Sequence, residues 1–212
     1  MTKQQKALEC IARLKQKYPD AMCTLETTDP YWLLVSVRLA AQCTDARVNQ
    51  IVPLLFEKYP DIPAMAAADV ADVTAIVRPC GLGNSKARDI VACAKMLKEE
   101  FNCRVPDTME QLLRLPGVGR KSANLILGDV YGKPAIVTDT HCIRITNKLG
   151  LATGKEPYKV EKQLWEIIPP QEGNNFCHRL VLFGREVCTA RSPKCDICPL
   201  ADICDSAPKK EV

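Results

Sequence analysis

The stretch richest in chemistry is Leu112-Leu113-Arg114-Leu115-Pro116-Gly117-Val118-Gly119-Arg120-Lys121-Ser122-Ala123. Pro116 ends one helix, because its ring has no N–H and clashes with the preceding turn. Gly117 and Gly119 permit backbone angles that a Cβ forbids, and they let a partner come close to the main chain. The next helix then opens with free N–H groups, where a phosphate can bind, beside the cations Arg120 and Lys121. Val118 points back to staple the two helices. Helix, Gly-Val-Gly hairpin, basic helix is the form of a helix–hairpin–helix DNA-binding motif. On its own residues Lys121 reads either as a phosphate contact or as an amine nucleophile. Asp139, eighteen residues further on in Val137-Thr138-Asp139-Thr140, reads as a helix N-cap.

Four of the twelve cysteines cluster as C-x6-C-x2-C-x5-C: Cys188, Cys195, Cys198 and Cys204. Loops this short cost little closure entropy, so the segment can wrap one metal centre. Two disulfides would suit an exported chain, but Met1-Thr2-Lys3-Gln4-Gln5-Lys6 leads into charge-interrupted sequence rather than an apolar h-region. Structural zinc takes four thiolates, often as paired C-x2-C knuckles, and only one such knuckle is present. An iron–sulfur cluster also takes four thiolates and tolerates uneven spacing. Spacing alone leaves zinc and iron–sulfur open. The other eight cysteines lie mostly among apolar residues and read as small buried hydrophobes.

These groups need a scaffold, and composition permits one. The chain has 212 residues, 47% apolar and 25% charged, which excludes a wholly disordered chain. No apolar run approaches the ~18–20 residues of a membrane span. The expected location is the cytoplasm, at the nucleoid in a bacterium. Net charge is only +4, yet the window from Leu112 to Lys148 carries Arg114, Arg120, Lys121, Lys133, Arg144 and Lys148 against Asp129 and Asp139. A basic face beside the hairpin is the resulting expectation.

Apolar residues recur with a 3.6-residue period and show no sustained alternation, so the chain reads as all-α, with about ten helices. Leu8, Ile11 and Ala12 mark a first amphipathic helix. Asp29-Pro30 is an N-cap with proline at N1, opening a helix through Ala41. A third follows Thr44, with Pro53 expected to kink or restart it. Short helices are expected near 63–67 and 69–77, and a long one from Asn84 or Ser85 to about Glu100. Asp107-Thr108-Met109-Glu110 has the form of a capping box. Beyond the hairpin, helices are expected to about Tyr131, over 139–149 with Gly150 as the stop, from Pro157, and over about 174–187 into Cys188.

L-P-G-V-G-R-K, then V-T-D-T-H-C-I-R, then the four-cysteine tail together resemble endonuclease III, a family of DNA glycosylases with an attached abasic-site lyase activity. The resemblance runs from about residue 25 to Cys204. It implies a [4Fe–4S] cluster on Cys188, Cys195, Cys198 and Cys204, with Lys121 as catalytic lysine and Asp139 as catalytic aspartate. An amine that attacks C1′ of deoxyribose displaces the base and becomes an imine. The imine acidifies the C2′ hydrogens, so β-elimination of the 3′ phosphate follows. At a free pKa of ~10.4, only about one lysine in a thousand is neutral near pH 7. Arg120, the helix N-terminus and partial burial are expected to favour the neutral amine.

By the same resemblance Gln42 fills the gap left by an extruded base, Leu82 wedges into the stack, and Gly117, Gly119 and Arg120 meet the DNA backbone. Thr44, Asp45 and His141 help hold the pocket. Two positions depart from the family pattern: Cys43 stands where alanine is common, and Gly83 where an aromatic residue often follows the wedge. Related adenine-mismatch glycosylases typically lack a lysine at the Lys121 position. The implied architecture has two helical lobes, a six-helix lobe of 22–133 and a second of 1–21 plus 134–212 with the cluster loop 188–204. A DNA cleft lies between them, with Lys121 and Asp139 contributed from opposite sides. The implied partner is double-stranded DNA containing damaged bases or abasic sites. The implied enzyme is a monomer that removes oxidised or ring-saturated pyrimidines.

Overall fold

Short polar side chains decide where most of the helices start. In the computed structural model, which describes residues 1–27 and 29–208, the helices are α1 (Lys3–Lys17), α2 (Pro30–Ala40), α3 (Asp45–Lys58), α4 (Ile62–Ala66), α5 (Val70–Val77), α6 (Gly83–Glu100), α7 (Met109–Arg114), α8 (Arg120–Asp129), α9 (Thr140–Lys148), α10 (Pro157–Trp165) and α11 (Gly173–Glu186). The all-α expectation holds: among the described residues there is no strand, and no helix is long and apolar enough to cross a membrane. Thr2, Asp29, Thr44, Asp61, Asp69, Thr108, Asp139 and Glu156 each accept a first-turn N–H at their helix N-terminus. Among the described residues α6, α8 and α11 begin without a side-chain cap.

Two local expectations shift. Thr108, not Asp107, caps α7; its hydroxyl accepts the N–H of Gln111 and donates to the Gln111 side chain at 2.9 Å, a simple N-cap in place of the expected box. Thr44 caps α3, where the third helix is expected to begin. Pro53 does not restart that helix, since α3 runs on through it with Val48, Ile51, Val52 and Leu55 buried.

Contacts divide the chain into two compact units. The unit Cys23–Gly132 holds α2 to α8, seven helical segments rather than six, because Asp61 and Asp69 each start their own short helix. Its core includes Leu39, Leu55, Met65, Val77, Ala94, Leu97, Leu112 and Ile126. α4 and α5 pack on α6, and α2 packs on α3 and α8.

The unit of Met1–Met22 with the chain from Lys133 onward holds α1 and α9 to α11. Leu14, Ile136, Ile145, Val160, Leu164, Phe176, Leu180 and Phe183 are fully or almost fully buried there. The cysteine-rich tail has little apolar sequence of its own, and α1 holds it with cations. Arg13 donates to Pro199 O at 2.8 Å and to Asp202 at 2.6 Å. Lys6 donates to Leu149 O at 3.0 Å and pairs with Asp205. Gly150 stops α9 at φ +74°, and a Cβ there would stand 1.7 Å from Asp205 Oδ2. Gly150→Ala is therefore expected to lower stability by about 1–3 kcal/mol, from left-handed strain and displacement of Asp205. Urea denaturation measures it; wild-type stability would show that the tail does not need this turn.

Candidate functional site

The hairpin is seated on an ion pair. Gly117 has φ +76°, and a Cβ there would lie 2.8 Å from Asp89 Cβ and 2.9 Å from Arg38 Cδ. Arg38 Nε donates to Asp89 at 2.8 Å, and Arg38 Nη2 reaches Asp89 at 2.6 Å and the Ser85 hydroxyl at 3.3 Å. Arg38 comes from α2, Ser85 and Asp89 from α6. The pair is partly screened from solvent, so it holds its geometry better than an exposed one. Leu115 and Leu112 are buried under the turn, and the Val118 N–H donates to Leu115 O at 3.1 Å.

Gly119 departs from expectation. Its φ is −98° in an extended conformation that any residue adopts, and a Cβ would meet nothing within 4 Å. Its lack of a side chain leaves open space before the uncapped N-terminus of α8. Arg120 and Lys121 are the first two residues of that helix, while Ala123, Ile126 and Leu127 bury its other face. Lys121 is exposed, not partly buried as expected.

Gln42 and Leu82 share an unusual backbone. Among the described residues only Gln42, Leu82, Asn102 and Cys103 combine a side chain with positive φ, at +57°, +51°, +49° and +55°. Such a conformation costs ~1–3 kcal/mol and persists only where the surroundings hold it. Both are exposed, and Leu82 presents 58% of its surface to solvent. Gly83 follows, where a Cβ would sit 3.2 Å from Arg78 Cα. In place of an aromatic ring the chain has a groove of about 670 Å³ beside Leu82, lined by Arg78, Asn84, Ser85 and Arg88.

In the other unit, Asp139 accepts the Cys142 N–H at 2.7 Å and caps α9. The His141 ring lies over Gly184 of α11, where a Cβ would stand 2.3 Å from Nδ1, and 3.5 Å from Arg144 Nη2. None of the twelve cysteines is paired in a disulfide. Cys188, Cys195, Cys198 and Cys204 line one pocket, walled by Ile145, Leu149, Phe183 and Val187. Among the described residues no three His, Cys, Asp or Glu groups close on a single metal ion, although these sulfurs share one cavity. Burial raises the Cys188 pKa, and Lys148 and Arg144 pull it back. Cations facing thiols favour thiolates, the form that binds iron. Arg144 also donates to Cys188 O at 2.6 Å. The donor set fits an iron–sulfur cluster.

The expected basic face is thereby broken up. Arg114 pairs with Glu100, while Arg144 and Lys148 belong to the surroundings of the thiols. Linear charge could not show this. Sequence reading also missed Arg38, a lone charge in an apolar helix, and Lys86, which stands beside Arg88 and Asp89 and carries no such signal. The two hairpin glycines should separate experimentally. Gly117→Ala is expected to cost about 1–3 kcal/mol in urea denaturation, and Gly119→Ala less than about 0.5 kcal/mol. Equal costs would contradict the seating on Arg38 and Asp89.

Comparisons with known proteins agree with this arrangement. Residues 35–170 match the HhH-GPD superfamily base excision DNA repair protein family, and residues 188–204 match the iron–sulfur binding domain of endonuclease III. The chain is 42% identical over 207 residues to endonuclease III of Synechocystis sp., covering 97% of this chain and 94% of that one. It is 36% identical over 207 residues to that of Escherichia coli K12, covering 98% of each. A solved non-covalent endonuclease III–DNA complex superposes with a TM-score of 0.91 at 40% identity, over 97% of this chain and 96% of that one. A trapped endonuclease III–DNA covalent intermediate gives the same score and identity, over 97% of each. The chain belongs to the endonuclease III family within the HhH-GPD superfamily, and is a base excision repair DNA glycosylase and abasic-site lyase with a [4Fe–4S] cluster.

Proposed function

We propose that the chain removes oxidised or ring-saturated pyrimidines from duplex DNA with Lys121 as the nucleophile, then cleaves 3′ to the abasic site. The Lys121 amine attacks C1′, the glycosidic bond breaks, and the base leaves with the bonding pair and takes up a proton. The amine gives up its proton and the opened sugar becomes an imine on Lys121. Loss of a C2′ proton then expels the 3′ phosphate. Asp139 takes the amine proton or stabilises positive charge on the sugar. The observation that carries this reading is the place of Lys121: exposed, at the second position of a helix whose uncapped N-terminus faces open space at Gly119. Backbone amides there, with Arg120, hold a phosphate.

Gln42 enters the space of the flipped nucleotide and Leu82 wedges beside it, offsetting the few kcal/mol of unstacking. Their exposed left-handed backbones support these roles. His141, packed on Gly184, keeps α9 and hence the Asp139 cap in register. Cys188, Cys195, Cys198 and Cys204 ligate the cluster, which supplies four iron–thiolate bonds to a tail with little core. The chain acts as a monomer, on DNA in the cytoplasm.

Lys121→Gln is expected to abolish the borohydride-trapped adduct while lesion binding in a gel-shift titration stays within a few-fold. An undiminished trap would move the nucleophile elsewhere. Asp139→Asn retains an equally good cap, so it is expected to melt like the wild type yet cut single-turnover rates by ~10²–10⁴. Wild-type rates would leave Asp139 a cap alone. Cys198→Ser is expected to lose iron and soluble yield together. Cys10→Ala, buried on α1, keeps its iron on elemental analysis; parallel iron loss in both would undo the ligand assignment.

A further inference from the structure

One lysine in the Cys23–Gly132 unit never reaches solvent. Lys86, in the first turn of α6, is 0% exposed. Its Nζ donates to Leu39 O at 2.8 Å and to Cys80 O at 2.7 Å. Both acceptors belong to chain ends. Leu39 lies in the last turn of α2, where carbonyls have no intrahelical partner. Cys80 closes the 3₁₀ turn Arg78–Cys80. Gln42 follows Leu39 by three residues, and Leu82 follows Cys80 by two. One buried group therefore fastens the two segments that lead into the left-handed residues Gln42 and Leu82.

Nothing about a helix start requires this arrangement. A lysine is the most readily solvated of side chains, and burying its head group is costly unless polar partners replace water. Here burial pushes the Lys86 pKa down, the Cys43 and Cys80 thiols oppose that shift, and Arg38 adds to it. Methionine would fill the same volume without the desolvation. What it cannot do is donate to two carbonyls from different segments at once.

We propose that Lys86 is a positioning residue for base extrusion, holding the Gln42 and Leu82 segments in the register that lets both side chains enter the duplex together. This rests on the roles given to Gln42 and Leu82 above. Lys86 touches no DNA. Its effect passes through the carbonyls of Leu39 and Cys80, so it matters where a base must be pushed out and much less where the base is already missing.

The test compares Lys86→Met, Gln42→Ala/Leu82→Ala and the triple variant, each as full-length protein with its iron content verified. Two substrates are used: a duplex with one 5,6-dihydrothymine, and the same duplex with a preformed abasic site. Lys86→Met is expected to slow single-turnover base removal at least tenfold while borohydride trapping on the abasic duplex stays within about threefold. The triple variant is expected to match the double within about twofold, since Lys86 acts only through those residues. A role in general stability would lower both activities and multiply with the double variant, and that result would overturn the proposal. If the double variant removes the base at the wild-type rate, the roles of Gln42 and Leu82 fall and this proposal falls with them. If the double variant is slow and Lys86→Met is not, only the Lys86 proposal falls. Should Lys86→Met not fold, hydrogen exchange on the wild type decides. Peptides spanning 39–44 and 79–84 are expected to open in one event with one denaturant dependence, and independent openings would overturn the proposal.

Discussion

Gly117 can rest on Arg38 and Asp89 only because it has no side chain, and the rest of the DNA-facing architecture of its unit depends on that seat. Asp89 belongs to α6, whose first turns also carry Ser85, bonded to Arg38, and Lys86, bonded to Leu39 O and Cys80 O. Hairpin, Gln42 segment and Leu82 segment are thus all referred to one helix. These are three separate stretches of chain, 42, 82 and 117, none of which has regular structure of its own to hold it. The strain at φ +57° and +51° persists because α6 and its partners over-determine it, while glycine takes up φ +76° at residue 117 without strain.

The other unit solves a different problem, how to hold a tail that has almost no core. Leu200 is its one fully buried apolar side chain after Val187 among the described residues. Charge does the rest. Lys6 and Arg13 of α1 fasten Asp205 and Asp202 from one side, while Arg144 and Lys148 of α9 face the thiols. Four thiolates brought together repel one another, and cations plus iron are the natural remedy. The same packing over Gly184 sets His141, and through α9 the Asp139 cap, so the surroundings of the thiols and the carboxylate proposed as catalytic share a helix.

Features that act over a few residues were legible in the sequence. The Asp29-Pro30 start, the Gly150 stop, the hairpin and the cysteine spacing all follow from local chemistry, and each stands where expected. The α7 cap stands one residue later than expected, at Thr108, because Asp107 and Thr108 are both good N-cap residues and local sequence does not choose between them. Pro53 does not interrupt α3, because its cost of ~3 kcal/mol competes with a whole buried face of that helix. What could not be read were long-range partners. Lys86 finds its acceptors at residues 39 and 80, and the basic window is split between a hairpin, an ion pair with Glu100 and the thiol pocket. Gly119 was misread for the opposite reason, since a glycine in a turn need not have a glycine conformation.

All of these supports converge on a single chemical assertion, that the amine of Lys121 forms the bond to the sugar. The most direct measurement is to trap the wild-type protein on lesion DNA with borohydride, digest the adduct and sequence the modified peptide by mass spectrometry. This account predicts the reduced sugar remnant on Lys121, in the peptide that follows Gly117-Val118-Gly119-Arg120. A remnant on the N-terminal amine or on any other lysine would contradict it.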